Sequence, residues 1–313
     1  MSDSSTARKQ ASWRAHVGEL AWPTLALFGA VVIGEGLVWW GVLSGRMPIW
    51  LGSVAATLLA YASFTVLHEA SHGNVHGARP ELRWVGELAG WLSGLPLLAP
   101  HPMFRAIHLR HHSHANDPER DPDFWVHSTR PLGVLARCAT LLGAYEWSFF
   151  FGEVSRSRGA QSVRRQAALG VVALGALIVV LVALGLGREA LLLWIFPGLA
   201  AATLLAFAFD WVPHHPHSVQ GRFRDTRILL VPGLTLPMLW QNYHLVHHLY
   251  PRVPFYRYAA CFREIRPELE AKGSPIEGYA RGRSLPRPFG SGSDTGSVGH
   301  SKPHAEPIDR HER

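Results

Sequence analysis

Residues 49–72 read IWLGSVAATLLAYASFTVLHEASH, nineteen uncharged residues from Ile49 to Leu67 followed by His68 and His72. An uncharged apolar run of about 20 residues is long enough to cross a bilayer as a helix. Residues four apart share a helix face, so both imidazoles leave the end of that span pointing the same way. One stretch therefore predicts a membrane helix and a candidate pair of metal ligands at its mouth.

Three further runs have spanning length: Leu20–Leu43, Ala167–Leu186 and Ala190–Phe209. The first is too long for a signal-peptide core and has no small-residue cleavage site after it. It reads as a retained span, with Trp39 and Trp40 as anchors at one interface. Hydrophobic residues make up 48% of the 313 residues and charged residues 17%, against a more usual quarter charged. The expected fold is an all-α integral membrane protein: four transmembrane helices, with cytoplasmic and interfacial helices carrying a histidine-rich site. The predicted organisation is a cytoplasmic segment (1–19), a membrane domain with a cytoplasmic cap (20–280) and a tail (281–313). The tail is dominated by Gly, Ser, Pro, Arg and His, and disorder is expected there.

Arginine placement orients the spans. The short joints carry Arg46 and Arg188, whereas Arg8, Lys9, Arg14, Arg105, Arg110, Arg120, Arg130, Arg156, Arg158, Arg222, Arg224 and Arg257 fall on the opposite side. By the positive-inside rule both termini and the middle segment are cytoplasmic, with a bacterial inner membrane as the expected setting. Trp84–Pro100 is short and glycine-rich, and Val134–Phe151 is amphipathic and aromatic. Both are expected to lie at the interface. The net charge of +7 favours an anionic membrane or an acidic protein partner. Nothing in the chain has the pattern of a nucleic-acid-binding fold.

Two more boxes repeat the histidine theme: His108-Leu-Arg-His111-His112 and His244-Leu-Val-His247-His248. Between them stands Asp210-Trp-Val-Pro-His214-His215. Neutral imidazole binds Fe, Zn, Cu and Ni well. Cys138 and Cys261 are too far apart to form a thiolate site, so nitrogen and oxygen must hold any metal. A zinc ion uses three or four protein ligands; the three boxes offer eight and His214 a ninth. Nine nitrogens suit two ions of higher coordination. His68-Glu69-Ala-Ser-His72 is also a literal zinc-peptidase motif, with Glu69 as general base. That reading leaves both His-x-x-His-His boxes unexplained, and Glu69 is expected instead to orient an imidazole. Glu35, inside the first span, reads as a protonated or hydrogen-bonded structural group. His76 and His114 are expected behind the ligands, and His215 and His217 at the surface.

The ordered boxes with paired spans resemble the membrane fatty acid desaturase and hydroxylase superfamily over roughly residues 49–266. The strings His108-Leu-Arg-His-His-Ser-His-Ala-Asn-Asp117, Asp121-Pro-Asp123, Gln241-Asn-Tyr-His-Leu-Val-His-His-Leu-Tyr-Pro251 and Val253-Pro-Phe-Tyr-Arg-Tyr258 look closest to cyanobacterial-type β-carotene hydroxylases. Glu69 departs from the Asp usual at its position. The resemblance implies a pair of iron ions, dioxygen as co-substrate and an external electron donor of the ferredoxin type. It implies His68, His72, His108, His111, His112, His214, His244, His247 and His248 as ligands, with Asp210 and Asn242 supporting them. The implied reaction is hydroxylation at carbon 3 of a carotenoid β-ring, on a substrate entering from the bilayer. An acyl-lipid desaturase or a ring ketolase would use the same site, so the boxes alone leave the outcome open.

Overall fold

The computed structural model describes residues 13–152 and 160–278. The predicted tail, Arg8, Lys9, Arg156 and Arg158 lie outside the described residues. In chain order the helices are α1 (Trp22–Leu43), α2 (Ile49–Ser71), α3 (Arg83–Gly94), α4 (His101–His114), α5 (Pro131–Ala139), α6 (Leu141–Phe150), α7 (Ala160–Ala183), α8 (Gly187–His214), α9 (His244–Leu249) and α10 (Tyr258–Ala271). Four of them, α1, α2, α7 and α8, are long and apolar enough to cross a membrane. Their outer faces carry exposed Ile33, Leu37, Leu58, Leu169, Val172 and Val179, a hydrocarbon surface that suits lipid better than water.

Small residues let the spans approach closely. A Cβ at Gly52 of α2 would sit 2.7 Å from a Val42 methyl and 3.0 Å from a Leu193 methyl, so only glycine fits where α1, α2 and α8 meet. α2 runs past the apolar stretch to Ser71, which puts the first histidine box on its last turn. There Gly73, at φ +69°, allows a Schellman ending: its N–H donates to the Ala70 carbonyl, and that of Asn74 to the Glu69 carbonyl.

The segment between α2 and α7 does not include a further span among the described residues. α3 has 12 residues, about 18 Å at 1.5 Å per residue, too short to span. The chain turns back at Leu98 into α4, while Trp194 of α8 donates to the Leu95 carbonyl at 2.7 Å. The predicted interfacial stretch 134–151 forms α5 and α6, with Leu132, Leu135, Trp147 and Phe151 turned outward.

α7 begins earlier than its apolar composition predicts, because Arg164, Arg165 and Gln166 continue the helix as a polar end. α8 extends beyond Phe209 to His214 through two π-helical turns, Leu191–Ile195 and Ala206–Trp211. Two three-residue strands, β1 (Ile228–Leu230) and β2 (Ile276–Gly278), pair in parallel with Ile228 opposite Ile276. They are the sole strands among the described residues.

Apolar clusters fix the helices that bear histidine. The outer face of α4 packs Met103 and Ile107 against Val134, Cys138, Leu141, Tyr145 and Phe149. α9 seats Leu245, Val246 and Leu249 against Tyr258, Cys261 and Phe262. Each large apolar side chain buried in this way contributes about 1.5–3 kcal/mol, and the opposite faces, which carry the histidines, are left to converge.

Candidate metal centre

All nine histidines named above meet. His68, His72, His108, His112 and His247 form one group, and His111, His214, His244 and His248 a second; within each, one ligand atom per residue lies within 4.8 Å of all the others. The partition cuts across the boxes. The pairs four apart (68/72, 108/112, 244/248) stay together, because one helix turn separates them on a single face. The middle histidine of each His-x-x-His-His box, His111 or His247, goes to the opposite group.

The Nε2 atoms face inward. In the five-histidine group they form a chain: His68 to His247 at 2.9 Å, His247 to His112 at 2.8 Å, His112 to His108 at 3.0 Å and His108 to His72 at 2.8 Å. In the other group His111 and His248 are 3.2 Å apart, and His244 and His214 3.1 Å. Two nitrogens at right angles around one ion, each 2.0–2.1 Å from it, would lie about 3 Å apart. Burial holds His72, His108, His112, His244, His247 and His248 well below the ordinary histidine range, and neighbouring imidazoles reinforce the effect. These rings are therefore neutral, with lone pairs crowded together. Such a donor set fits cations.

The outward nitrogens are held by other groups. His214 donates through Nδ1–H to the Asp225 carbonyl at 3.1 Å. The Tyr258 hydroxyl lies 2.9 Å from Nδ1 of His247. His111 turns Nδ1 to Asp121 at 2.9 Å and to Asp123 at 3.2 Å. Burial opposes charge on His111, but the two carboxylates outweigh it and push its pKa up to about 10. A cation at Nε2 would take the place of that second proton. Asp121 also accepts from the N–H groups of Asn116 and Asp123, and Tyr145 donates to Asp123 at 2.6 Å. The loop after α4 thus buttresses His111 from behind.

The first and third boxes are stitched together directly. Arg252 donates to the carbonyls of His72 at 2.8 Å and Gly77 at 3.0 Å. Asn74 donates to the Pro251 carbonyl at 2.9 Å. Glu69, fully buried, accepts from Asn74 and from the Phe255 N–H, while Nδ1 of His68 is 3.8 Å away. Its carboxylate pins one segment to another.

Other expectations fared variously. Asp210 lines a cavity beside the histidines, whereas Asn242 donates to the Leu229 carbonyl at 2.9 Å and anchors β1. His114 bonds the Arg110 carbonyl within its own helix, and His76 joins neither histidine group. His215 is exposed, but His217 is only 4% exposed and packs on His127 and Phe124; it is not a surface residue. Tyr258, Tyr145, Arg252 and Gln241 support or line the site although the sequence marked none of them as a site residue. Tyr258 and Gln241 stood in the quoted strings, as polar side chains flanking the third box.

A cavity lies between spans α2 and α8 and helices α4 and α6 and reaches the histidines. Phe64, Leu97, Met103, Phe104, Leu205 and Phe209 supply apolar wall, and His68, His108, His111 and His244 also line it. It touches both groups.

The profile of the fatty acid desaturase family matches residues 44–280. The chain belongs to the fatty acid desaturase family. Among relatives of this desaturase-family chain is a β-carotene ketolase of Paracoccus sp. (strain N81106 / MBIC 01143), 30% identical over 64% of the present chain and 74% of its own. A ceramide hydroxylase of Caulobacter vibrioides is 26% identical over 82% and 84%. An sn-1 oleoyl-lipid 12-desaturase of Anabaena variabilis is 26% identical over 75% and 60%. The family is one of membrane di-iron oxidoreductases, and the two histidine groups match that requirement in number and donor type.

Proposed function

We propose that the protein is a di-iron, dioxygen-dependent hydroxylase acting at carbon 3 of a carotenoid β-ring. One observation carries the reading: an apolar cavity lined in part by two membrane-spanning helices touches both histidine groups at once. The five-histidine group would hold one iron and the four-histidine group the other. Bound there, the irons would supply the reduction of dioxygen and an oxidant able to take hydrogen from an unactivated C–H bond.

The chain's own residues do the rest. Phe64, Phe104, Leu205 and Phe209 would hold the apolar end of the substrate and exclude water. Tyr258, Asp121 and the Asp225 carbonyl would fix the imidazoles with Nε2 inward. The second of these also makes His111 a stronger donor. Exposed Arg120, Arg130, Arg222, Arg224 and Arg257 give a surface for an acidic, ferredoxin-like electron donor. The spans and the positive-inside rule support an inner-membrane protein with this surface in the cytoplasm.

The Paracoccus ketolases favour a carotenoid over an acyl chain, and make ketone formation at the ring the second reading. Expression in a β-carotene-accumulating host tests both. Zeaxanthin is the expected product. Canthaxanthin would overturn the hydroxylase in favour of a ketolase, and new lipid double bonds with unaltered carotenoid would overturn both. About one zinc per purified chain, with no iron, would remove the whole class.

A further inference from the structure

The cavity wall is mostly hydrocarbon, and besides the histidines its polar lining residues are Asp123, Tyr145, Asp210 and Gln241. Asp123 and Tyr145 satisfy one another. Gln241 differs from them. It is 1% exposed, and neither its Oε1 nor its Nε2 has a protein partner. A buried amide with both ends unpaired destabilises a fold. A Leu or Met there would fill the same space without that cost.

The backbone shows that the placement is held against local preference. Leu239 and Trp240, just ahead of Gln241, lie at φ 45° and 64°, a left-handed region that residues with a Cβ enter at a cost. Bonds from the Trp240 N–H to Thr235 at 2.9 Å and from the Gln241 N–H to Met238 at 2.8 Å keep them there. The strained pair delivers Gln241 into the 3₁₀ turn Gln241–Tyr243, and His244 follows at once. An amide without a protein partner therefore belongs to a residue lining the cavity, three residues before His244 of the four-histidine group.

We propose that Gln241 is a specificity-determining residue, which hydrogen-bonds an oxygen already present on the end of the apolar substrate being oxidised. The proposal rests on the carotenoid reading above. The oxygen is a ring hydroxyl or a ring ketone. Nε2–H donates to either, and a hydroxyl in addition donates to Oε1, so it satisfies both orphaned atoms. An unsubstituted ring satisfies neither. The enzyme then still turns over an unsubstituted ring, but prefers one oxygenated next to the carbon it attacks, such as an earlier oxidation of that ring would supply.

The test uses purified holoenzyme in detergent, wild type against Gln241→Met and Gln241→Leu, with iron content as the folding control. Three carotenoids compete: one with unsubstituted rings, one with a ketone at ring carbon 4, and one with a hydroxyl there. The wild type is expected to favour at least one oxygenated ring, and both variants to lower that kcat/KM ratio about tenfold, the size of one lost hydrogen bond. Preference for the ketone alone or the hydroxyl alone says which oxygen is bound. Resonance Raman gives a readout independent of turnover. The carbonyl stretch of the bound ketone should fall in the wild type and return to its apolar-solvent value in the variants. An equal ratio in wild type and variants, or an equal carbonyl frequency, overturns the proposal. A frequency shift lost in the variants, without turnover of any carotenoid, upholds Gln241 and overturns the reaction. Failure of the protein to bind any of the three overturns both.

Discussion

Replacing Tyr258 by Phe removes one oxygen atom and leaves the shape of the core intact. Tyr258 is 0% exposed, its ring packs among Leu245, Val253 and Phe262, and its hydroxyl lies 2.9 Å from Nδ1 of His247. Phe keeps the packing, so the fold should survive. What is lost is the partner of a buried imidazole nitrogen, which costs about 1–3 kcal/mol. That cost falls on the orientation in which His247 turns Nε2 towards His68 and His112. At 1.4 kcal/mol per tenfold, iron affinity of the five-histidine group should drop by about 5- to 150-fold, a range that includes the 10–100-fold typical of such supporting residues. The other group keeps its own supports, Asp121 and the Asp225 carbonyl. Iron per chain would be measured across a chelator titration, with circular dichroism as the folding control. The variant should release iron in two steps, the first at lower chelator than in the wild type. A release curve coincident with wild type, or simultaneous loss of both irons from a folded chain, would refute the reasoning.

Asp121→Asn should weaken the other group, because His111 loses the carboxylate nearest its Nδ1; the first iron released should then be the four-histidine one, distinguishable from the Tyr258→Phe case by Mössbauer spectroscopy of partly loaded samples. Glu69→Gln should retain more than about a tenth of wild-type turnover, whereas loss of a general base costs about 10²–10⁴-fold; a loss of that size in a fully iron-loaded variant would restore Glu69 to the chemistry. Ala202, half-buried on α8, lines the cavity. Ala202→Phe should lower kcat/KM by about tenfold or more, as expected when a substrate-positioning surface is displaced by about 1 Å, while iron content stays at the wild-type level; unaltered kinetics would remove this cavity as the substrate path.

The sequence allowed much of this to be read, for identifiable reasons. Span count follows from apolar length, which depends only on composition. Span ends do not: Arg164 and Arg165 are polar yet helical, and α8 reaches His214 through π turns that leave no signature in hydropathy. Eight of the histidines were legible as candidates through their spacing of three and four, and His214 through its place beside Asp210 and the family resemblance. Their division into five and four was not, since each His-x-x-His-His box turns toward both groups and only packing against the apolar clusters decides which ring goes where. The partners of the outward nitrogens were hidden for another reason. Tyr258 and Asp225 each bond a histidine eleven residues away, a separation of about 16 Å along a single helix, so no helical spacing predicts the contact. Gln241 was hidden because an amide beside a histidine box looks like any polar turn residue until its lack of partners is seen.

The exchange of the middle histidines between groups bears on how the protein is made. Each group draws on the second and third boxes, and their members are more than a hundred residues apart, as with His112 and His247. The five-histidine set lacks a member until His247 is made and the four-histidine set until His248 is made, and both need the third box to fold back onto the second. Uptake of a metal pair would thereby be ordered after insertion of all four spans. A truncated or stalled chain assembles neither full set, and so would not carry an oxygen-activating pair into the membrane without the cavity that directs it.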